Sequence, residues 1–387
     1  MVDQKKAPGY FYLSSEALVK QRELTRDGTY DLLPSEVLWK DRYFWLKDRG
    51  YDLRPRYSPD WEPSWLNTNL NAEFCEDAVM PTDPHVIDAR RRSDGLLVAL
   101  KPVKKHGNEI EISLYLSSLK DQRNHSVPVI DTLDDPLDSS KTLMVMQYLR
   151  SFDDPEFAMT GDVIDFVDQM LEVCSDLSAY PTTIHIPQGL AFLHSHRIAH
   201  RDIAPPNVMM DGSSLYPHGH HPVYTNCSPD LIEELTPLPR MDCQVKYYYV
   251  DFGLSVRFKP GASTLVIGDV GRDEEVPELS STVPYDAFKA DIYALGNLFD
   301  KELLQKYHGL DFLRELIDAM KRRQPERRPP VTELVQMFAK VRKSRNPSSL
   351  RWRLAPKSEP AYERLFNDTV AVAKNGLTQL RRFVQQQ

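Results

Sequence analysis

The chain has 387 residues, with 48 Lys+Arg against 56 Asp+Glu and a formal net charge of −8. That length suits one large two-part domain or two ordinary ones, and the acidic balance argues against general nucleic-acid binding, which draws on a basic surface. No apolar run approaches the roughly 20 residues of a membrane span. The four cysteines, Cys75, Cys174, Cys227 and Cys243, form no CxxC pair, so neither a disulfide framework nor a zinc site is expected, and a reducing compartment fits best. The first residues carry no apolar core behind their charges, unlike a signal peptide. The expectation is an intracellular, cytoplasmic protein, the nucleus remaining open, with no membrane and no nucleic-acid partner.

Residues 1–70 mix charge with large aromatics, including Trp39, Trp45, Trp61 and Trp65. Pro34 to Lys47 reads as a helix, and the tryptophans as anchors of an N-terminal extension. A strand-rich part follows over 71–149. Val86–Ala89 and Leu96–Leu100 flank Ser93-Asp94-Gly95, a hairpin signal. Glu109 to Leu119 has helical apolar spacing, and Leu143 to Tyr148 is an apolar strand. From 150 to 345 helical patterns dominate, as over Val163–Leu171, Ala287–Leu304 and Asp311–Lys321, with insertions at 173–188 and 211–244. The tail, 346–387, is basic around Arg351 and Arg353 and ends in a predicted helix from Ala361 to Phe383. A small strand-rich part followed by a large helical one predicts an α+β protein with two lobes.

The strongest chemical signal is His200-Arg201-Asp202-Ile203-Ala204-Pro205-Pro206-Asn207, followed by Asp251-Phe252-Gly253 after the strand Tyr247–Val250. Phosphoryl transfer needs hard Mg²⁺ held by oxygen ligands and a carboxylate that orients a hydroxyl and accepts its proton. Asp202 suits the second task; Asn207 and Asp251 suit the first. Upstream, Val98-Ala99-Leu100-Lys101 ends an apolar strand in a lysine that needs an anionic partner, the α/β-phosphates of a nucleotide, with a helix glutamate to steer it. Glu111 is preferred to Glu109, because the spacing after it puts Leu114 and Leu119 on a buried flank.

With these elements in this order the chain resembles the eukaryotic protein kinases over roughly Asn71 to Lys343. Val276-Pro277-Glu278 resembles the family's Ala-Pro-Glu, and Asp291 to Gly296 its following helix start. Arg328-Pro329 resembles the late Arg-Pro element, whose arginine pairs that glutamate. Arg54-Pro55-Arg56-Tyr57 and Asn207 to Asp211 are similar to the fungal-type protein kinases in particular. The resemblance implies a two-lobed kinase fold, with a small antiparallel-sheet N-lobe carrying one helix and a larger helical C-lobe. It implies Mg-ATP as cofactor, a protein substrate and targets at serine or threonine hydroxyls. It also implies Met146 as gatekeeper, adenine held by the backbone of Gln147 and Leu149, and a catalytic set of Asp202, Lys101, Glu111, Arg201 and His200.

Four departures qualify that pattern. No glycine lies between Asn71 and Ser93, where a phosphate-cradling loop is expected, and Met80-Pro81-Thr82-Asp83-Pro84-His85 stands in its place. The lysine two after the catalytic aspartate, or the arginine four after it, is replaced by Ala204 and Pro206. The 211–244 segment is long and reads as a surface insertion, its His218, His220 and His221 solvated rather than metal-binding. Val173 to Gln188 interrupts an apolar stripe that otherwise runs on from Met170 and Leu171 to Leu190. We read it as a translated intron, since a valine codon begins with GT and a glutamine codon can be CAG; a genuine loop is the alternative. Ser263 or Thr264 could carry a phosphate paired by Arg201, or be a plain solvated hydroxyl. The leading reading is an active protein kinase. A pseudokinase scaffold and a small-molecule kinase are the alternatives.

Overall fold

The structure is a computed structural model, described over residues 9–171 and 189–371. The segment 173–188 and the last part of the expected C-terminal helix lie outside the described residues; 361–371 is helical. The chain divides into two compact units. One comprises Met1–Ile110, Pro128–Leu149 and Ser213–Leu238, the other Glu111–Val127, Arg150–Gly212 and Pro239–Gln387.

The first unit opens with helix α1 (Ser15–Arg26), started by the Ser14 side chain, which accepts the Ala17 N–H. The helix expected over 34–47 is two helices, α2 (Pro34–Lys40) and α3 (Tyr43–Asp48), broken at Asp41-Arg42. Its sheet is antiparallel, in the order β1 (Tyr51–Asp52), β2 (Ile87–Arg91), β3 (Leu97–Lys104), β5 (Lys141–Gln147), β4 (Val129–Asp134). The predicted β2–β3 hairpin is present, with Gly95 at φ +72° in its turn. The residues before 71 contribute the edge strand β1, whose Tyr51 lies opposite Arg91. Trp39, Leu46, Tyr51, Leu53 and Tyr57 then pack with Ile87, Val98, Leu100, Leu143 and Val145 in one core. At about 25 cal/mol per Å² of apolar area removed from water, these aromatics tie the segment firmly to the sheet.

The connection from β1 to β2 covers residues 53–86 and holds a buried polar network. Arg56, with no exposed side-chain surface, makes two hydrogen bonds to Glu36 (2.9 and 3.1 Å) and a third to the Asp77 carbonyl (2.9 Å). Tyr57 donates to the same carboxylate (3.0 Å), and Arg54 pairs with Asp88 (3.2 Å). Each buried charge is thus met by an opposite charge and by hydrogen bonds, the condition under which such groups persist in a core.

The Ser213–Leu238 segment corrects the sequence reading. The insertion expected over 211–244 is indeed mostly exposed or half-buried, His218 included, but His220 and His221, expected solvated, are buried. His221 Nδ1 accepts the Val223 and Tyr224 N–H groups (3.1 and 3.0 Å), and its Nε2 faces Glu76 at 3.6 Å. Within this histidine–proline stretch, hydrogen bonding to local backbone makes burial tolerable.

The second unit is mainly helical: α5 (Thr160–Leu171), α6 (Gly189–Ser195), α7 (Ala287–Phe299), α8 (Arg314–Met320) and α9 (Val331–Lys343). The chain enters it within α4 (Asn108–Ser118). Phe166 of α5 is the centre of its core, stacked on Phe152 (4.8 Å) and edge-on to Tyr247 (4.9 Å) and Phe299 (5.9 Å). Short strands β6 (Arg150–Ser151), β8 (Val208–Asp211) and β9 (Lys246–Tyr249) form one sheet, and β7 (Ile198–Ala199) pairs with β10 (Val256–Arg257). The hairpin of β11 (Leu265–Gly268) and β12 (Ser280–Asp286) completes the unit.

Candidate active site

In the first unit Lys101 lies on β3 opposite Met144 of β5. Its Nζ sits 2.7 Å from Glu109 Oε1, with both side chains 18% exposed. The sequence-based choice of Glu111 is therefore corrected: Glu111 is exposed, and the pairing carboxylate is Glu109 in the first turn of α4. The reason is the helix face. Ile110, Ile112, Ser113 and Leu116 are buried, whereas Leu114, which guided the choice, is 44% exposed. Met146 lies on β5 opposite Ala99, and Gln147 opposite Val98. The Tyr148 N–H donates to the Leu97 carbonyl (3.2 Å), and Leu149 is buried at the end of this stretch.

In the second unit one buried carboxylate shapes the loop after β7. Asp291 of α7 accepts the His200 N–H on Oδ2 (2.8 Å) and the Arg201 N–H on Oδ1 (2.7 Å), while His194 Nε2 contacts Oδ2 (3.0 Å). The fully buried His200 contacts the Val250 carbonyl through Nε2 (3.0 Å) and accepts the Asp202 N–H on Nδ1 (3.3 Å). Burial holds its pKa below the ordinary histidine value, so it is a neutral strut, not a proton carrier. Asp202 is then gripped on both oxygens. Oδ2 accepts from Asn207 Nδ2 (2.8 Å) and Oδ1 accepts the Arg272 backbone N–H (2.6 Å), with Arg272 Nε 3.7 Å from Oδ2.

The register of β8 and β9 brings the remaining residues in. Val208 lies opposite Tyr249, and the Val250 N–H donates to the Asn207 carbonyl (3.0 Å), which leaves Asp251 one residue beyond that bond. Asp251 and Arg201 both have left-handed backbones, at φ +61° and +66°, a strain that clusters at functional sites. Asn207 turns its Nδ2 to Asp202, which leaves Oδ1 as the atom that would meet a cation. With the Asp251 carboxylate it would supply oxygen donors of the kind Mg²⁺ takes, and in that chemistry the residues fit the metal.

The Arg201 guanidinium meets the carbonyls of Leu254 (3.2 Å) and Ile267 (3.3 Å) and the Tyr285 hydroxyl (3.4 Å). Arg201 is thereby tied to both β11 and β12. Further on, Arg328 binds Glu278 through both nitrogens, at 2.7 Å for Nη2, and lies over the Tyr293 ring (4.7 Å). The pairing that the resemblance implied for the Arg-Pro element is therefore present. Glu109, the β1 edge strand and Arg272 were all missed by sequence reasoning. Only for Glu109 was a signal available, in the adjoining Ile110, Ile112 and Leu116.

Asp202 held by the Asn207 amide, with Asp251 one residue beyond the Val250–Asn207 bond, is a set of residues that suits phosphoryl transfer. The chain matches the protein kinase domain over residues 84–308, more than half of its length, and belongs to that family. The fold is accordingly the kinase fold and the domain that of a kinase phosphotransferase. No helix among the described residues is long and apolar enough to cross a membrane, and none of their His, Cys, Asp and Glu side chains gather in threes as a metal cluster.

Proposed function

We propose that the chain is an active protein kinase that transfers the γ-phosphate of Mg-ATP to a protein hydroxyl, serine or threonine by the family's default. The observation that carries this reading is the Asp202 carboxylate, held on one oxygen by Asn207 and on the other by the Arg272 N–H. A carboxylate so fixed orients the acceptor hydroxyl and takes its proton. Asn207 and Asp251 hold magnesium, which when bound neutralises the phosphate oxygens. Lys101, steered by Glu109, pairs with the α/β-phosphates, and the backbone of Gln147 and Leu149 holds adenine beside Met146. Arg201 and His200 shape the loop. The fungal-type resemblance and an intracellular setting belong to the same reading.

A pseudokinase is the second reading. It is favoured by the absence of glycine from the whole 53–86 connection and of a cation at 204 and 206. The two separate on one experiment: phosphate transfer from Mg-ATP to a generic protein substrate by the full chain and by Asp202→Asn, with Mg-ATP affinity measured for both. Transfer by the parent, lost in the variant with affinity retained, is the expected result. No transfer by a parent that binds Mg-ATP overturns the kinase reading in favour of the second.

A further inference from the structure

The reaction places negative charge beside Asp202 as the phosphoryl group moves, yet the two loop positions where a cation is expected hold Ala204 and Pro206, and the Arg201 guanidinium is engaged by the Leu254 and Ile267 carbonyls. The structure brings a cation from elsewhere. Arg272 follows Gly271, which packs against the loop: a Cβ added there would be in van der Waals contact with the Arg201 carbonyl (3.4 Å) and Asp202 Oδ1 (3.8 Å). On the other side, Asp273 accepts two hydrogen bonds from Asn297 of α7 (3.0 and 2.9 Å), and Glu275 pairs with Lys301 (2.9 Å). The backbone at 272 is thus fixed from both directions, its N–H on Asp202 Oδ1, while its side chain stays 53% exposed with Nε 3.7 Å from Oδ2. A guanidinium anchored at its base and exposed at its tip presents several N–H donors in a planar fork, a geometry suited to phosphate oxygens.

We propose that Arg272 is the cation of the transfer step, delivered by the segment before Val276-Pro277-Glu278 in place of one on the catalytic loop. The proposal rests on the kinase reading above. In the step, the acceptor hydroxyl oxygen bonds to the γ-phosphorus, its proton passes to Asp202, and the bond from γ-phosphorus to the β–γ bridging oxygen breaks with its electron pair leaving on ADP. Arg272 offsets the charge on the group in transit and holds the Asp202 carboxylate in line.

The test compares the full chain, Arg272→Ala, Arg272→Lys, and Arg272→Ala combined with Ala204→Lys. The readouts are kcat and KM for phosphate transfer, and affinity for Mg-ADP with and without aluminium fluoride, a mimic of the phosphoryl group in transit. Arg272→Ala should lower kcat by about 10²-fold, the scale of one lost transition-state donor, with KM for ATP within about twofold. It should weaken the aluminium fluoride complex far more than Mg-ADP alone. Arg272→Lys should keep part of the rate, and Ala204→Lys should restore part of it, because each returns a cation to the same neighbourhood. An unchanged kcat, or a loss that neither lysine repairs in proteins of unchanged melting temperature, overturns the proposal. If the parent shows no transfer, the kinase reading fails, and the mimic still decides on Arg272. Weaker binding by Arg272→Ala upholds its role as a phosphoryl-group ligand; equal affinity, or no binding by either protein, rejects it.

Discussion

Glu109 and Glu111 sit two positions apart on α4, and only the first reaches Lys101, at 2.7 Å. The two residues are about 200° apart around a helix, so a choice between them is a choice of face. Glu109→Gln should lower kcat/KM by about tenfold or more through loss of the charged partner, while Glu111→Gln leaves it within about twofold. Equal losses from both would contradict the assignment. Asp202, Asn207, Asp251 and Lys101 stand out in the sequence because phosphoryl-transfer chemistry permits few residue types at such places. The partner glutamate does not, because Ile110, Ile112 and Leu114 offer two competing apolar faces. Arg272 was also invisible: its contact with Asp202 spans 70 positions and begins with a backbone N–H, which no side-chain pattern announces.

At the scale of elements, the pair of Arg328 with Glu278 joins the start of α9 to the segment before β12. Arg328 has no exposed side-chain surface and Glu278 has 9%. Removing one partner strands a buried charge, so Arg328→Ala should destabilise the protein by about 3–5 kcal/mol in urea unfolding. A loss under about 1 kcal/mol would mean that water reaches the site. Asp168 of α5 pairs with Arg342 of α9, yet burial outweighs that pairing and pushes its carboxyl up to about 7. The folded protein therefore takes up a proton as pH falls through about 7, while the unfolded carboxyl stays charged down to its ordinary 3.8. This group adds stability as pH drops across that window. Melting temperatures of the parent and Asp168→Asn should accordingly shift in the parent's favour between pH 8 and pH 5; a constant gap would refute the assignment. Helices α4, α5, α7 and α8 and strands β2, β3, β5 and β9 were legible from their apolar patterns. Strand β1 was not, since two residues carry no period.

Helices α5 and α6 meet end to end at Gly189. An ideal Cβ on Gly189 would fall 2.3 Å from the Gln169 carbonyl oxygen and 2.5 Å from that of Met170. The start of α6 therefore abuts the last turn of α5, as the uninterrupted apolar stripe requires. Deleting 173–188 should yield a folded protein with a melting temperature at or above the parent's, and transcript reads should include spliced forms lacking the segment. A deletion protein that fails to fold, together with transcripts that all retain the segment, would identify it as a true insertion.

Across the whole molecule, the Ser213–Leu238 segment belongs to the first unit, although the strands on either side of it, β8 and β9, belong to the second. Replacing it by a short glycine–serine link should increase hydrogen exchange around Glu76 and Asp88, because the buried His221 faces Glu76. Protection there equal to the parent's would show the segment to be dispensable to that unit.

The same feature sets an order of events during synthesis. The first unit has most of its residues by Ile110 but is complete only at Leu238, and the chain between belongs largely to the second unit. At roughly 5–20 residues per second on the ribosome, the early sheet waits on the order of ten seconds for its last piece. During that interval the site around Glu76 that His221 later faces stays uncovered. The kinase's N-terminal part is thus finished late, and a nascent chain halted before Leu238 exposes surface that chaperones would have to guard.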